Sequence, residues 1–433
     1  MLTREENELL CRVEGDATMG QFMRRHWVPA CMSEEVAEPD GAPVKVRLLG
    51  EDLVVFRDSD GRLGVLDEYC PHRRVSLALG RNEECGVRCL YHGWKMDVEG
   101  NVLEMASEPP ESGLVEKVKM KAYPAREAGG LVWTYMGPAE TMAEFERPAF
   151  APTEKTNVSI VKVHVHANWA QVVEGQIDSA HSSSLHSSEM RPAKVDGAKA
   201  VDKLWLRPST DKAPRLQVER TSFGFHYVAI RRPIVNSATH DYVRKTVYVA
   251  PFVCLIPPNN AYNVTSVIVP EDDTHTTFYF LAWRESGGID QEAWRKFNCA
   301  QPGIDLDKTF RNLRTRTNGY LQDRNAMKLG DFTGIRGIPN QDIAMWETMG
   351  PIADRTKERL GASDLAVVEF RRLMGDAARA MQQGGPVLGR TEPHIPHVNI
   401  SSFERILPRN VNWRTSAGAD NETPSVVDQN RVA

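Results

Sequence analysis

The sequence has no apolar run long enough to cross a bilayer, and its first residues, MLTREENE, are too polar for a signal peptide. Its seven cysteines are an odd number scattered over 433 residues, which does not indicate a disulfide framework. The formal net charge of −5 gives no basic excess for nucleic acid or an anionic membrane. These absences predict a cytoplasmic protein with neither nucleic acid nor membrane as a partner.

The most specific pattern joins two cysteines to two histidines, as Cys70-Pro-His72 and Cys89-Leu-Tyr-His92. These groups are the ligands of a Rieske [2Fe–2S] cluster, where histidines replace two cysteines on one iron and raise the reduction potential. The same groups also suit zinc, but zinc sites favour two neighbouring cysteines followed by two neighbouring histidines. Because each cysteine here has its own nearby histidine, the pattern favours the Rieske cluster and single-electron transfer. Cys85 has no place in the pattern and is interpreted as structural.

A second pattern, Asp178-x-x-His181-x₄-His186, places two histidines and an acidic residue close together. Two histidines and one carboxylate form the facial triad of mononuclear non-haem Fe(II) oxygenases. On a straight helix the two histidines would point about 140° apart, so binding of one metal by both predicts a distortion over Ser182–Ser184. Asp178 lies on the same helix face as His181 and is predicted to accept the second ring N–H of that histidine. The alternative is that both histidines are structural.

Hydrophobic periodicity divides the chain unevenly. A helical period predicts an N-terminal helix within residues 1–25, packed on the larger C-terminal domain. Short apolar strands with turn residues predict an all-β domain at 26–145, and longer strands and helices predict an α+β domain at 146–408. The tail at 409–433 is predicted to be a surface arm or disordered. In the α+β domain the predicted strands are 158–166, 224–234, 242–256, 261–269 and 275–283. The predicted helices begin near Asn168 and cover 291–299, 306–324, 339–348 and 363–382.

The two motifs, in this order and about ninety residues apart, resemble the oxygenase α subunits of the Rieske non-haem iron aromatic-ring-hydroxylating oxygenases. The similarity extends over nearly the whole chain. It implies an all-β Rieske domain followed by a helix-grip-like α/β catalytic domain with an antiparallel sheet. It also implies one [2Fe–2S] cluster per subunit on the first motif and one Fe(II) per subunit on the two histidines of the second. The third iron ligand of the family matches Asp342, before an apolar stretch and Glu347; the alternative is a solvated aspartate at a helix N-terminus.

The resemblance gives Asp178 a further role. In that family an aspartate bridges a cluster histidine of one subunit to an iron histidine of the next, because the two metal sites of one chain lie too far apart for fast electron transfer. By this resemblance Asp178 bridges His181 to His92 of a neighbouring subunit. The implied assembly is a homotrimer or a hexamer of two stacked trimers.

Within the family the chain is most similar to the α-only branch that includes phthalate dioxygenases. The implied reaction is cis-dihydroxylation of phthalate at the 4,5-positions, with O₂ and electrons that a separate flavin and iron–sulfur reductase takes from NADH. No G-x-G-x-x-G follows a strand pattern in this chain, which agrees with a separate reductase. The alternatives are another aromatic carboxylate (isophthalate, terephthalate, phenoxybenzoate or chlorobenzoate) or O-demethylation by a monooxygenase. An electron carrier or a zinc-stabilised binding protein is the alternative outside this class.

The implied substrate is an aromatic dicarboxylate, and Ser179, Arg207 and Arg244 match substrate-binding positions of that branch. Both arginines lie in apolar, strand-like sequence, where a lone charge is costly to bury without an anionic partner. Arginine also binds a carboxylate through two parallel hydrogen bonds. Arg231 and Arg232 are neighbouring alternatives. The alternative to substrate binding is that each arginine forms a structural ion pair or faces solvent.

Overall fold

The computed structural model describes residues 1–201, 204–259, 261–390, 395, 397–415 and 425–426. The chain divides into two compact units. The large unit joins Met1–Arg12 to Glu146–Ala433, and the small unit is Val13–Phe145. None of the helices in these described ranges has the length and apolar character needed to cross a membrane.

The N-terminal segment forms two short helices, α1 (Arg4–Cys11) and α2 (Thr18–Met23). The single helix expected within 1–25 is therefore wrong. The chain becomes extended at Arg12 and turns at Gly15, where φ is +58°, a conformation that glycine adopts without strain. Of the two helices, α1 belongs to the large unit and α2 to the small unit.

Apart from α2 and short 3₁₀ helices, the small unit consists of β-strands, as expected. Its strands are β1 (Trp27–Met32), β2 (Val44–Leu48), β3 (Glu51–Arg57), β4 (Leu63–Asp67), β5 (Arg81–Glu83), β6 (Gly86–Arg88), β7 (Trp94–Met96), β8 (Val102–Met105), β9 (Ala122–Tyr123), β10 (Ala125–Ala128) and β11 (Leu131–Tyr135). They form antiparallel sheets in the orders β1-β11-β10, β2-β3-β4-β9 and β5-β6-β7-β8.

The core of the small unit lies directly under the two cysteine motifs. Its buried members are Val54, Phe56, Leu66, Leu77, Val87, Trp94, Met96, Val102, Met105 and Met120, together with Cys70 and Cys89. The first motif follows β4, and the second connects β6 to β7. Both thiols are therefore part of a packed core, which restricts the rotamers of any ligand placed there.

The large unit contains the longer strands and the remaining α-helices of the described residues. Its strands are β12 (Asn157–Val165), β13 (Met190–Pro192), β14 (Lys199–Val201), β15 (Leu204–Arg207), β16 (Arg215–Thr221), β17 (Gly224–Arg231), β18 (His240–Val249), β19 (Val253–Ile256), β20 (Asn263–Pro270), β21 (Thr276–Arg284), β22 (Phe403–Pro408) and β23 (Ser425–Val426). Its helices are α3 (Trp169–Ile177), α4 (Gln291–Phe297), α5 (Arg324–Lys328), α6 (Ile338–Thr348) and α7 (Leu365–Gln382).

Short 3₁₀ helices connect these elements in both units. They are Ser33–Val36, Leu77–Leu79, Pro110–Ser112, Val115–Lys117, Ala139–Thr141, His181–Ser183, Arg316–Leu321, Ala362–Asp364, His397–Asn399 and Trp413–Thr415. The turn at His181–Ser183 directly follows α3 and carries part of the candidate iron site.

The main sheet of the large unit confirms the expected antiparallel architecture. Its strand order is β12-β21-β20-β19-β18-β17-β16-β23, and β22 also pairs with β18. The sheet branches because the first half of β18 pairs with β22 and its last residues pair with β19. The single strand expected over 242–256 is two strands, β18 and β19. Pro251 lies in the break, and proline has no N–H to donate to a β ladder.

The helix expected over 306–324 is also wrong. Side chains there bond to the nearby backbone: Asp307 accepts from the N–H groups of Thr309 and Arg311, at 2.7 and 3.0 Å. Such local bonds compete with helical hydrogen bonds and favour turns. The segment consists of turns and the 3₁₀ helix Arg316–Leu321, and α5 begins only at Arg324.

The first part of the predicted tail is packed rather than a free arm. Trp413 is 7% exposed and contacts the apolar side chains of β17, β18 and β22. Its indole N–H donates to Gln217 at 2.8 Å. Residues 416–424 and 427–433 of the predicted tail lie outside the described residues, and the backbone of β23 pairs with β16.

Candidate metal sites and substrate cavity

The two cysteine loops, residues 70–75 and 89–94, share one backbone design. In each loop the cysteine N–H donates to the carbonyl five residues later, and the N–H of the residue four positions after the cysteine donates to the cysteine carbonyl, at 2.8 to 3.0 Å. That residue has positive φ in both loops, +58° at Arg74 and +73° at Gly93. The loops are therefore matching turns, each with one cysteine and one histidine.

The side chains of the two loops form one donor set. Cys70 and Cys89 are buried, and burial raises the pKa of Cys70 to about 11. The rings of His72 and His92 lie 4.5 Å apart between centroids, and His72 stacks on Trp94. Nδ1 of His72 is buried without a hydrogen-bond partner among the described residues. A buried, unpartnered ring nitrogen is unfavourable unless it binds something, so the set fits a Rieske [2Fe–2S] cluster.

His181, His186 and Asp342 come together in the large unit. Nε2 of His186 lies 3.1 Å from Nε2 of His181 and 3.1 Å from Oδ1 of Asp342, and the third edge of the triangle is 3.5 Å. Metal–ligand bonds of about 2.1 Å at right angles separate ligand atoms by about 3.0 Å. The triangle therefore has the size of one face of an octahedral metal ion.

The other ring nitrogen of each histidine is bonded to a different acceptor. Nδ1 of His181 lies 3.3 Å from the carboxylate of Asp178, and Nδ1 of His186 lies 2.7 Å from Oε1 of Gln341. The amide nitrogen of Gln341 lies within reach of three acceptors, on Glu189, Thr333 and Ile335. Since those contacts require the amide nitrogen on that side, the oxygen of Gln341 faces His186.

This pairing leaves both Nε2 atoms without hydrogens. Each Nδ1 carries the ring proton because its partner is an acceptor. In this tautomer two imidazole lone pairs and one carboxylate oxygen converge within 3.5 Å. Such a group of acceptors is repulsive unless a cation lies among them, so the arrangement fits a facial Fe(II) site.

The helix break that allows this geometry begins earlier than the sequence predicts. The expected distortion covers Ser182–Ser184, but α3 already ends at Ile177. Asp178 accepts from the N–H of Ala180 at 2.7 Å, a local bond that replaces a helical one. Burial acts against the charge of Asp178, but its hydrogen bond with His181 holds the pKa of the carboxyl below its usual value. Asp178 is therefore a charged partner of His181.

A cavity of about 630 Å³, open space at its mouth included, adjoins the three candidate iron ligands. Apolar and aromatic side chains form much of the cavity wall. These are Trp205, Tyr227, Ile256, Pro257, Phe278, Phe280, Ile338 and Pro339. Asp178, Ser179 and Arg244 line the same cavity. A flat apolar ring with a polar edge suits such a wall.

Three buried arginines lie at or behind the polar side of the cavity. Arg244 lines it, whereas Arg207 and Arg231 reach it only through the serines of the segment after α3. Arg207, Arg231 and Arg244 are 5%, 2% and 5% exposed. Arg244 lies opposite Glu404 in the β18–β22 ladder, and its Nε is 3.1 Å from the Glu404 carboxylate. Neither Arg207 nor Arg231 has a carboxylate partner within the part of the chain that is described. Burial, with the nearby Arg244 charge, lowers the pKa of both to about 10.

Serine hydroxyls and carbonyls take the place of carboxylates around the two unneutralised arginines. Arg207 donates to Ser182 and Ser183, at 3.1 and 3.3 Å. Arg231 donates to the carbonyl and the hydroxyl of Ser179, at 2.7 and 3.2 Å. These serines follow α3 directly, so the segment that carries His181 also connects the arginines to the cavity.

The structure separates alternatives that the sequence leaves open. Of the adjacent arginines, Arg231 is buried beside Ser179, and Arg232 is exposed. Arg244 does form the structural ion pair considered as an alternative, although it also lines the cavity. Asp342 is 5% exposed in α6 and is not a solvated helix terminus. Cys85 lies apart from the donor set and donates to Asp60 at 3.3 Å.

Sequence reasoning missed Gln341 and Glu404. Gln341 directly precedes Asp342, and its only sequence signal is a polar residue on the buried side of a helix. Glu404 has no signal at all, because only the pairing of β22 with β18 brings it to Arg244. Arg231 ends a strand, β17, in which every residue is buried. The alternation of apolar and polar residues along this strand therefore could not show on which face of the sheet Arg231 lies.

Two family models match the chain in succession. Residues 26–124 match the Rieske [2Fe-2S] domain, and residues 134–431 match the family described as LigXa C-terminal domain like. The chain is 65% identical to the phthalate 4,5-dioxygenase oxygenase subunit of Pseudomonas putida, over 96% of this chain and 94% of the relative. It is 35% identical to the 3-chlorobenzoate-3,4-dioxygenase oxygenase subunit of Comamonas testosteroni, over 96% and 98%.

Solved structures share the fold at low sequence identity. The terminal oxygenase of carbazole 1,9a-dioxygenase from Nocardioides aromaticivorans IC177 gives a TM-score of 0.59 at 18% identity, over 86% of this chain and 97% of that chain. Dicamba monooxygenase bound to dicamba gives 0.54 at 18% identity, over 83% and 98%. The arrangement of a β domain and an antiparallel-sheet domain is therefore common to these oxygenases.

Proposed function

The chain belongs to the Rieske non-haem iron oxygenases whose catalytic domain is described as LigXa C-terminal domain like, and from this premise we propose that it converts phthalate to the 4,5-cis-dihydrodiol. It is a Rieske non-haem iron dioxygenase with a [2Fe–2S] cluster and a catalytic non-haem iron. The relative with 65% identity is named for phthalate 4,5-dioxygenation, which supports this choice of substrate and position.

The excess positive charge beside the cavity is the observation that carries the proposal. Of the three buried guanidinium groups, only that of Arg244 has a carboxylate within ion-pair distance among the described residues, that of Glu404. The remaining two charges equal the charge of a dicarboxylate at neutral pH. A buried charge without a partner is strongly unfavourable, so a dianionic ligand is the natural complement of this wall.

The metal ligands are part of the proposal. They are Cys70, His72, Cys89 and His92 for the cluster and His181, His186 and Asp342 for the iron. When bound, the cluster supplies single electrons and the iron supplies activation of O₂. The protein contributes the histidine tautomers, because Asp178 and Gln341 accept the Nδ1 hydrogens and direct both Nε2 atoms to one point.

The cavity wall positions the substrate. Arg207 and Arg244 donate hydrogen bonds to the carboxylates, and Ser179 adds its hydroxyl. The aromatic side chains opposite them hold the ring and exclude water. Fixing the ring against the metal face converts an encounter into a reaction within one complex, which contributes to the rate by orientation.

The oxygenase works with further proteins in this proposal. A separate reductase takes electrons from NADH through flavin and iron–sulfur groups, and the oxygenase is a trimer or a hexamer of stacked trimers. Asp178 bridges His181 to the cluster histidine His92 of a neighbouring subunit. The proposed location is the cytoplasm; the seven cysteines, all of them among the described residues, form no disulfide, which suits a reducing compartment.

A single-turnover reaction tests the proposed function. Protein loaded with both metals and pre-reduced is mixed with O₂ and phthalate, isophthalate, terephthalate or benzoate. Cluster oxidation is followed by absorbance, and products are followed by mass spectrometry. Phthalate is expected to accelerate oxidation and to gain two oxygens and two hydrogens. Oxidation that none of the four acids accelerates, in protein that holds both metals, would remove the phthalate assignment.

A related carboxylate is the second candidate. The relative with 35% identity over nearly the whole chain is named for 3-chlorobenzoate, which has one carboxylate. An O-demethylating monooxygenase is the third, since its metal ligands would be the same. Products with one added oxygen, or loss of formaldehyde from a methoxybenzoate, would favour the third candidate over the first.

A further inference from the structure

We propose that Arg231 is the specificity-determining positioning residue that makes this site select a dianionic over a monoanionic aromatic acid. The inference rests on the proposed function and deepens it. Arg231 acts through Ser179: it holds the serine hydroxyl toward the cavity, and it adds the second positive charge that a monocarboxylate leaves unbalanced.

The hydrogen bonds of Arg231 determine what Ser179 can do. Nη1 of Arg231 lies 3.2 Å from the Ser179 hydroxyl, and Nη2 lies 2.7 Å from the Ser179 carbonyl. Its Nε donates to the Asp211 carbonyl at 3.1 Å, so the guanidinium is held from two sides. A guanidinium only donates, so the hydroxyl oxygen of Ser179 is the acceptor. The hydroxyl hydrogen stays available, and Ser179 lines the cavity.

The hydroxyls of Ser182 and Ser183 also accept hydrogen bonds from buried arginines, but they differ in whether they donate their own hydrogen. Ser183 accepts from Arg207 at 3.3 Å and from Arg231 at 3.4 Å. Ser182 accepts from Arg207, but it donates its own hydrogen to the Ser179 carbonyl at 2.9 Å. Of these three serines, Ser179 and Ser183 therefore have a hydroxyl hydrogen with no acceptor among the described residues. Arg231 donates to both hydroxyls, and for Ser179 it is the arginine that does so.

The charge balance gives the site its preference. Arg207, Arg231 and Arg244 carry three positive charges, and among the described residues only Arg244 has a carboxylate within ion-pair distance, that of Glu404. The half-buried Asp211 carboxylate attracts Arg231 without forming an ion pair. A bound dicarboxylate offers a counter-charge to each of the other two guanidiniums, whereas a monocarboxylate offers only one. Burial with the Arg244 charge already lowers the pKa of Arg231 to about 10. Without Arg231 one excess charge remains, and a monocarboxylate balances it.

Matched variants of adjacent arginines test the inference. Arg231→Gln removes the positive charge and keeps hydrogen-bond donors. Arg231→Lys keeps the positive charge but loses the fork, which is the planar pair of guanidinium N–H donors that bonds Ser179. Arg232→Gln is the control, because Arg232 is exposed on the next position of the chain. Dissociation constants of phthalate and benzoate are measured by calorimetry on each metal-loaded protein, and KM and kcat are measured with phthalate.

The expected result is a change of selectivity rather than of general binding. Arg231→Gln should weaken phthalate binding by about tenfold or more, as loss of a charge-assisted contact does. Its benzoate affinity should stay within about twofold or improve, because one carboxylate now balances the wall. Arg231→Lys keeps the charge but cannot bond the hydroxyl and the carbonyl of Ser179 together, so its phthalate-to-benzoate ratio should fall below about half that of the unaltered protein and stay above that of Arg231→Gln. Arg232→Gln should change neither ligand. The KM of phthalate should rise more than kcat falls.

Other outcomes overturn the inference. Equal weakening of phthalate and benzoate would mean that Arg231 only holds the Ser179 segment in shape. Unchanged affinities would mean that it has no part in binding. If Arg231→Gln does not fold, the phthalate-to-benzoate ratio of Arg231→Lys decides, because a ratio below about half that of the unaltered protein supports a role for the fork, and an unchanged ratio opposes it. Unaltered protein that binds neither acid contradicts the proposed function itself.

Discussion

The two histidines of the candidate iron site are five residues apart, yet their surroundings differ in charge and exposure. The side chain of His181 is 25% exposed and faces the carboxylate of Asp178, whereas that of His186 is 4% exposed and faces the neutral amide of Gln341. A charged partner at an accessible edge suits exchange of electrons with another protein surface. A neutral partner in the interior suits a fixed ligand. From this difference we infer that the two candidate ligands have separate tasks, and variants can test this inference.

The largest effect, on the free energy of unfolding, is expected from a change at Glu174 in α3, the helix that precedes His181. Glu174 of α3 bonds Arg355 and Arg371 at 2.9 and 2.7 Å; both arginines are buried, and the Glu174 side chain is 11% exposed. Glu174→Gln leaves Arg355 without a carboxylate partner, while Arg371 keeps Glu358 at 2.7 Å. The variant should lower the free energy of unfolding by about 3 kcal/mol. Chemical denaturation of the iron-free protein measures this. Loss below about 1 kcal/mol would mean that α3 does not depend on the pair.

The same group gives a pH dependence with a definite sign. Burial alone would raise the pKa of Glu174, but the two arginines hold it below its usual value. The stabilisation is therefore present above the unfolded glutamate pKa of about 4.3, and it is lost as pH falls through the lower folded value. The stability difference between the unaltered protein and Glu174→Gln should shrink on acidification below pH 4; an undiminished difference there would contradict this.

Asp178→Asn should separate the two tasks most clearly. The amide keeps the size of the side chain but removes the charge beside His181, so both metals should stay bound. Electron transfer between the metals should slow by about 100-fold, the upper range for loss of an outer partner. Single-turnover cluster oxidation and metal analysis measure the two effects. Exposed Asp354→Asn is the control. Unchanged oxidation kinetics would remove the bridging role.

The proposed substrate arginine Arg207 contacts the segment that carries His181, because Ser182 and Ser183 follow that histidine and accept hydrogen bonds from Arg207. Arg207→Ala should raise the KM of a dicarboxylate by on the order of 30-fold, as loss of a charged hydrogen bond does. A neutral aromatic should be affected far less. Steady-state kinetics with phthalate and with its dimethyl ester give the comparison. Equal increases in KM for both would argue against a carboxylate clamp.

Gln341→Leu should affect the His186 side, with the smallest change. The variant fills the buried space but cannot accept from Nδ1, so His186 loses its fixed tautomer. Affinity for Fe(II) should fall by about tenfold, and electron transfer at saturating iron should stay near normal. Titration against a chelator measures the affinity. Slowed electron transfer with unchanged iron affinity would reverse the assignment of tasks to the two histidines.

Local patterns predicted much of the geometry of the two candidate metal sites. The cysteine loops are complete within 89–94 and 70–75, and turns of a few residues fix how their side chains meet. The helix start at Asn168 and the acceptor role of Asp178 also follow from near neighbours. The errors lie where side chains bond to their own backbone, as at 306–324, or where proline interrupts a strand.

The sequence by itself determined the candidate ligand types and the class of chemistry, because the spacing of cysteines and histidines within each motif is a local property of the chain. The order of the motifs and of the strand and helix patterns also indicated the order of the domains. Only the tertiary structure decided that Gln341 orients His186, that Glu404 neutralises Arg244, and that Arg231 rather than Arg232 faces Ser179. Those contacts join segments far apart in the chain. Sheet register and helix packing set their geometry, and both depend on the burial of the whole core rather than on neighbouring residues.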